Sequence, residues 1–259
     1  MKFGISVAHV TAGSVLFGGL TAVPAWAADT AAPDATIDRP ALHDEVFGRT
    51  GLTFAGTATD DTGVASVGIA FQDRVSRLWY RPDGTWGPYH RFTAALAVPN
   101  AVKSAWSYTW TPPSAGAYTV QVVAKDTAGH PDAVLPWRRF DVDTSPPDTV
   151  IRTPAASSTT IRRGQTATIS GYARDDHGVL YVYKAIQNRA TGKWLRTGGT
   201  WGAIMWHRLP VLRPGATLTD WSFGQGMTVS GSFLIQVRAS DRAGLVDPTP
   251  ASRVYTVTG

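Results

Sequence analysis

With 259 residues, 43% of them hydrophobic, and no cysteine, the chain has room for one large domain or two ordinary ones, and packing or metal must hold it together without disulfides. Its formal net charge of +5 comes from 24 Lys and Arg against 19 acids. The cations are scattered, with only Arg138-Arg139 and Arg162-Arg163 adjacent, which suits solvated strand faces and argues against a nucleic-acid stripe.

In chain order the first element is a leader. Met1-Lys2 is a minimal positive start, Val10 to Leu20 is apolar, and Ala25-Trp26-Ala27 places small residues where a signal peptidase reads them, so 1–27 is expected to be a signal peptide cleaved after Ala27. Thr11, Gly13, Ser14, Gly18 and Gly19 interrupt the apolar stretch, which falls short of the roughly 18 to 20 residues that span a bilayer. Export without membrane insertion follows.

The remainder repeats itself. A shift of 115 residues lays "FAGTATDDTGVASVGIAFQD" (54–73) on "ISGYARDDHGVLYVYKAIQN" (169–188), and "YTVQVVAKDTAGHPD" (118–132) on "FLIQVRASDRAGLVD" (233–247). Trp79, Trp86 and Trp106 land on Trp194, Trp201 and Trp221. A unit of this length is the size of an independent domain, so the expected domains are 28–143 and 144–259, joined through the stiff "DVDTSPPDT" (141–149).

Glu45 is the only Glu beside abundant Asp, while Val, Thr and aromatics are plentiful, a balance that favours strands and turns over helices. In the first unit the alternation predicts strands near 35–39, 50–59, 64–72, 77–81, 85–92, 104–110, 118–125 and 134–142. Leu52, Phe54, Gly56 and Ala58 form one inward row, and Tyr118, Val120, Val122 and Ala124 another. Such short strands between Gly, Pro and Asp turns predict an all-β chain of two-sheet sandwiches.

The run "GTATDDTGV…W…GTW…WSYTWTPPSAGAYTVQVVAKDTAGH…FDVDTSPPDT" resembles the immunoglobulin-like repeats of bacterial secreted and surface proteins, and the likeness covers both units. The resemblance implies two tandem immunoglobulin-like or fibronectin-like β-sandwiches used as spacers, adhesive stalks or accessory modules, in some relatives stiffened by calcium. It implies no catalytic residues.

On immunoglobulin-type strand order, Asp60, Asp61, Asp126 and Asp132 gather at one pole of the first sandwich, and Asp175, Asp176, Asp241 and Asp247 at the matching pole of the second. The connector's Asp141, Asp143 and Asp148 are expected to meet the second pole, in the manner of cadherin-type calcium junctions. Two readings stand: Asp before Gly caps a turn with no metal at all, or the carboxylates are calcium ligands. As ligands, Asp143, Asp148, Asp175, Asp176 and Asp241 form the stronger set, and Asp60, Asp61 and Asp126 the weaker one. No cofactor is required on the first reading; calcium is the cofactor on the second.

Most of the tryptophans are expected to pack, because an indole buries a large area. Trp86, Trp201 and Trp206, in the hairpins "RPDGTWGPYH" and "GGTWGAIMWHRL", are the candidates for stacking on sugars. No H-E-x-x-H or G-x-S-x-G pattern occurs, so no enzyme is expected. The leading expectation is a secreted, non-catalytic adhesion, scaffold or spacer protein whose partner is an extracellular protein or glycan. The alternative is an extracellular carbohydrate-binding accessory protein. With no sorting motif before Gly259, release from the cell is expected over covalent attachment.

Overall fold

Alternating side chains separated by glycine and aspartate turns can bury only one face per strand, so the chain folds by pressing two such faces together. The computed structural model describes Met1 and residues 29–259; the expected leader, apart from Met1, lies outside the described residues. Ala31–Gly259 is a compact unit divided from Met1–Thr30.

The first sandwich contains β1 (Asp34–Ala35), β2 (Glu45–Gly48), β3 (Leu52–Thr59), β4 (Val64–Asp73), β5 (Trp79–Tyr80), β6 (Trp86–Gly87), β7 (Phe92–Thr93), β8 (Ala95–Leu96), β9 (Lys103–Trp110), β10 (Gly116–Asp126) and β11 (Trp137–Asp143). The second contains β12 (Asp148–Thr153), β13 (Ser158–Arg162), β14 (Thr166–Arg174), β15 (Val179–Asn188), β16 (Trp194–Leu195), β17 (Trp201–Gly202), β18 (His207–Leu209), β19 (Leu218–Gly226), β20 (Gly231–Asp241) and β21 (Ala251–Thr258). Among the described residues the helical content is a single 3-10 turn, Thr197–Gly199.

Strand order in the first sandwich is β1-β3-β9-β8 against β2-β11-β10-β4-β5-β6, with β7 also on β4. In the second it is β12-β14-β19 against β13-β21-β20-β15-β16-β17, with β18 on β15. Each sandwich has its own apolar core: Phe54, Ile69, Phe71, Trp106, Tyr118, Val120 and Phe140 in one, Ile169, Val182, Trp221, Ile235, Val237 and Tyr255 in the other. The two inward rows read from the sequence are the buried faces of β3 and β10.

Expectation and structure differ at β2, at 85–92 and at β8, which lies outside every expected strand. β2 was not anticipated, because "HDEVFG" lacks a clear alternation; it exists through parallel pairing with β11, Val142 opposite Phe47, and through Phe47 packing on Phe140. The expected strand at 85–92 is instead β6 and β7, with Pro88 between them, where a missing N–H ends the ladder.

One contact recurs in both cores. Trp106 lies over Gly56 and donates its indole N–H to the Thr36 carbonyl at 3.1 Å. A Cβ at Gly56 would overlap that carbonyl and stand 2.7 Å from the Trp106 ring. A Cβ at Gly171 would likewise overlap the Val150 carbonyl and stand 2.7 Å from the Trp221 ring, although the Trp221 indole N–H makes no hydrogen bond among the described residues. Glycine is therefore needed for close approach, because side chain and neighbouring backbone occupy the space a methyl would fill. Gly56→Ala and Gly171→Ala should each cost at least about 2 kcal/mol by this overpacking. Urea unfolding of either variant with an unchanged midpoint would contradict the assignment.

Candidate functional site

The acidic turns are built by carboxylates that cap backbone amides. In the first sandwich Asp60 Oδ1 accepts from the N–H groups of Thr62 and Gly63 at 3.0 and 2.8 Å and from the Thr62 hydroxyl at 2.8 Å. In the second, Asp175 Oδ1 accepts from the N–H groups of His177 and Gly178 at 2.9 and 2.8 Å. Such Asx turns let the next residue turn sharply, and Gly63 and Gly178 have φ of 136° and 106°. A Cβ on either would also collide with the carbonyl of Asn100 or Gly215, so the glycines belong to the turns as much as the acids do.

The later turns repeat the device. Asp126 Oδ1 accepts from the N–H groups of Gly129 and His130, and its Oδ2 lies 2.8 Å from His130 Nδ1. Asp241 Oδ1 accepts from the Leu245 N–H at 2.8 Å, and Asp143 Oδ1 from the Ser145 N–H at 2.8 Å. In Asp143, Asp175 and Asp241 this leaves the second oxygen: each Oδ2 is buried and accepts no hydrogen bond.

Those three residues converge where β11 of the first sandwich runs into the second. Asp143 ends β11, Asp175 begins the turn after β14, and Asp241 ends β20. One carboxylate oxygen from each lies within 4.8 Å of the other two. Asp143 and Asp241 are each only 1% exposed. Burial pushes Asp241 up to about 6, with the Asp175 and Asp143 charges adding to it, and pushes Asp175 up as well. Three buried carboxylates repel one another by amounts on the order of 4 kcal/mol per pair near 4 Å, so a proton or a cation must relieve them.

Asp176 meets the same centre from its exposed side. His177 Nδ1 lies 3.4 Å from Asp176 and 3.5 Å from Asp143 Oδ2. Sequence reasoning missed His177, although "DDHG" in place of "DDTG" was a visible signal. Asp148 instead pairs with Arg174 at 3.0 Å across the β12–β14 ladder, and Asp141 lies 3.5 Å from Arg74. Asp61 is exposed, while Asp60 and Asp126 are buried. Within Ala31–Gly259, the groups of three or more metal-competent side chains both contain Asp143.

The aromatic candidates are placed differently from one another. Trp86 is half-buried and stacked on Tyr118 at 5.8 Å and 10°. Trp201 is 37% exposed and tilted against Phe233 at 6.0 Å. Trp206 is half-buried beneath the Arg238 guanidinium, 4.0 Å from its ring centre.

Residues 33–122 match the family model of a bacterial Ig domain. The first sandwich is thus of the bacterial Ig type, and the second repeats its strand order apart from β8, so the resemblance read from the sequence holds. No curated protein matches the chain. Among solved structures, a tandem pair of titin Ig domains aligns at 11% identity and a TM-score of 0.27, over 88% of this chain and 97% of that one. The C-terminal domain of the Streptococcus agalactiae AgI/II polypeptide BspA aligns at 9% identity and 0.32, over 86% and 99%. Red sea bream transglutaminase aligns at 11% identity and 0.30, over 89% of this chain but 32% of that one. At these TM-scores none of the three carries an argument about function.

Asp132 gives the acidic ends a pH signature outside the three-carboxylate centre. Burial holds its carboxyl at about 6, with Asp34 nearby adding to the shift, although Oδ2 accepts from the Ala124 N–H. An acid whose folded pKa lies above its unfolded value, about 3.9, stabilises the fold fully below that value and loses the contribution as pH rises through about 6. Denaturation midpoints should therefore fall between about pH 4 and 6, and Asp132→Asn should make that fall shallower. An unaltered pH slope in the variant would refute the assignment.

Proposed function

We propose that this chain is a secreted, non-catalytic pair of bacterial Ig-like domains acting as an adhesion, scaffold or spacer module, with calcium fixing the junction. The observation that supports the calcium part is the delivery of Asp143, from the last strand of one sandwich, to Asp175 and Asp241 of the next, each with a buried second oxygen that accepts no hydrogen bond. An all-oxygen, strongly anionic donor set fits a hard divalent cation, and calcium tolerates the irregular geometry that three turns supply. Turn carbonyls and water would complete its six to eight ligands. Asp143, Asp175 and Asp241 hold the ion, Asp176 supports from the exposed side, and Asp148 is committed to Arg174. Within Ala31–Gly259, Asp60, Asp61 and Asp126 gather no comparable centre.

The turn and ligand readings are compatible, because one oxygen serves each. A cation shared across the junction ties the connector to the second sandwich, which is what a spacer of defined geometry requires. Among the described residues no helix is long and apolar enough to cross a membrane, and export rests on the leader read from the sequence. The carbohydrate reading has less behind it: Trp86 is packed on Tyr118 and Trp206 is covered by Arg238, which leaves Trp201 as the most accessible of the three.

Calcium titrated into the full chain at pH 7 should raise the melting temperature by mass action, equivalent to about 2.7 kcal/mol at a hundredfold excess over Kd. Asp143→Asn should lose most of that rise, and Asp148→Asn little of it. Melting that is unchanged up to millimolar calcium would remove the cation and leave the spacer reading to be tested by pull-down from the native surroundings. Protein recovered from culture medium should begin at Ala28; a retained leader would overturn the export assignment.

A further inference from the structure

The duplication pairs core positions of the two sandwiches, and they differ in kind at Ile69, matched by Lys184, and at Trp110, matched by Gln225. Near the end of β9 the inward row finishes with Trp110, 4% exposed and stacked on Phe71 at 4.3 Å and 8°. Tyr80, Tyr118 and Phe140 surround the same indole at 5.3 to 6.1 Å. The matching position in β19 is Gln225, since Leu52 faces Trp110 and Ala167 faces Gln225 in corresponding registers.

Beside Gln225 the second sandwich has a cavity of about 270 Å³. Three of its walls are counterparts of residues around Trp110, namely Ile186 for Phe71, Leu195 for Tyr80 and Phe233 for Tyr118, and Trp201, the counterpart of Trp86, is a fourth. Two aromatic walls have become smaller aliphatic ones, which widens the space. Gln225 does not collapse into it, because Oε1 accepts from Lys184 Nζ at 3.0 Å and Nε2 donates to the Gly226 carbonyl at 3.1 Å. Lys184 is itself held over the Phe223 ring at 4.5 Å. Trp201 and Val229 line the cavity and are both exposed, which opens it to solvent.

We propose that the cavity lined by Ile186, Leu195, Trp201, Gln225, Met227 and Phe233 binds a small aromatic ligand of about the size of indole. The occupant is defined by the other half of the chain, where an indole sits in the same nest of side chains. The volume is near the lower end of ligand pockets and above the roughly 150 Å³ apolar cavity that accommodates a single benzene ring. Trp201 and Phe233 offer ring faces for offset stacking, and the apolar remainder of the wall gains from excluding water. This site is independent of the carboxylate junction and of any calcium there.

Isothermal titration of the full chain with indole tests the proposal. Saturable binding of one indole per chain is expected, since Trp110 blocks the equivalent position in the first sandwich. Gln225→Trp, which supplies the missing indole in cis, should weaken binding at least tenfold while the protein still melts cooperatively. Should that variant fail to fold, the smaller Gln225→Phe carries the same expectation. No saturable binding up to the solubility limit of indole, two sites per chain, or affinity unchanged in the filled variant would each overturn the proposal. Tighter binding of N-acetyltryptophanamide than of indole would assign the site to an aromatic side chain of a peptide and overturn the small-molecule assignment.

Discussion

A carboxylate buried at the end of a sandwich needs a donor or a cation for each oxygen, and that requirement organises this protein. Asp143, Asp175 and Asp241 each spend one oxygen on backbone amides, which fixes the turns between strands. Their second oxygens are left buried without a donor, and one oxygen of each residue lies within 4.8 Å of the other two. The rise of Asp241 to about 6 expresses the same conflict in protonation. Turn geometry, junction geometry and charge are thus consequences of one arrangement.

The sandwiches themselves are held by more ordinary means. Trp106 and Trp221 each press on the glycine opposite them on the neighbouring strand of the same sheet, and the apolar rows of two sheets close around them. Duplication preserved these rows because every member touches several others, and a change at one would leave a void or an overlap. It relaxed where a core position reaches the open end of the sandwich, as at Trp110 and Gln225, and there a second function can arise without loss of the fold. The same logic separates the two acidic poles: within Ala31–Gly259 only the second receives a residue from the connector.

The opposite ends of the second domain carry different chemistry. One end is anionic and hydrogen-bonded, and it suits a hard cation; the other is apolar with aromatic walls, and it suits a flat ring. Neither contains a nucleophile placed beside a base.

The sequence by itself determined the all-β class, the two sandwiches, the inward rows and the pole at which each group of aspartates lies. The first three follow from period-two alternation, from the 115-residue repeat, and from the fact that Asp-x-x-Gly closes a turn by local hydrogen bonds alone, and the pole follows from the strand order that the immunoglobulin-like resemblance implies. Local pattern could not show β2, which exists by parallel pairing with a strand some ninety residues away and by the Phe47–Phe140 contact. The strand order implied by the resemblance brought Asp143 to Asp175 and Asp241, but it put Asp148 there as a ligand too, whereas the β12–β14 register sets Asp148 opposite Arg174, with which it pairs. Gln225 opposite Trp110 was visible in the repeat as a mismatch, but a mismatch becomes a cavity only if the neighbours fail to close in. Lys184 decides that by holding the amide aside, and only the tertiary structure brings Lys184 and Gln225, forty-one residues apart, within hydrogen-bonding distance.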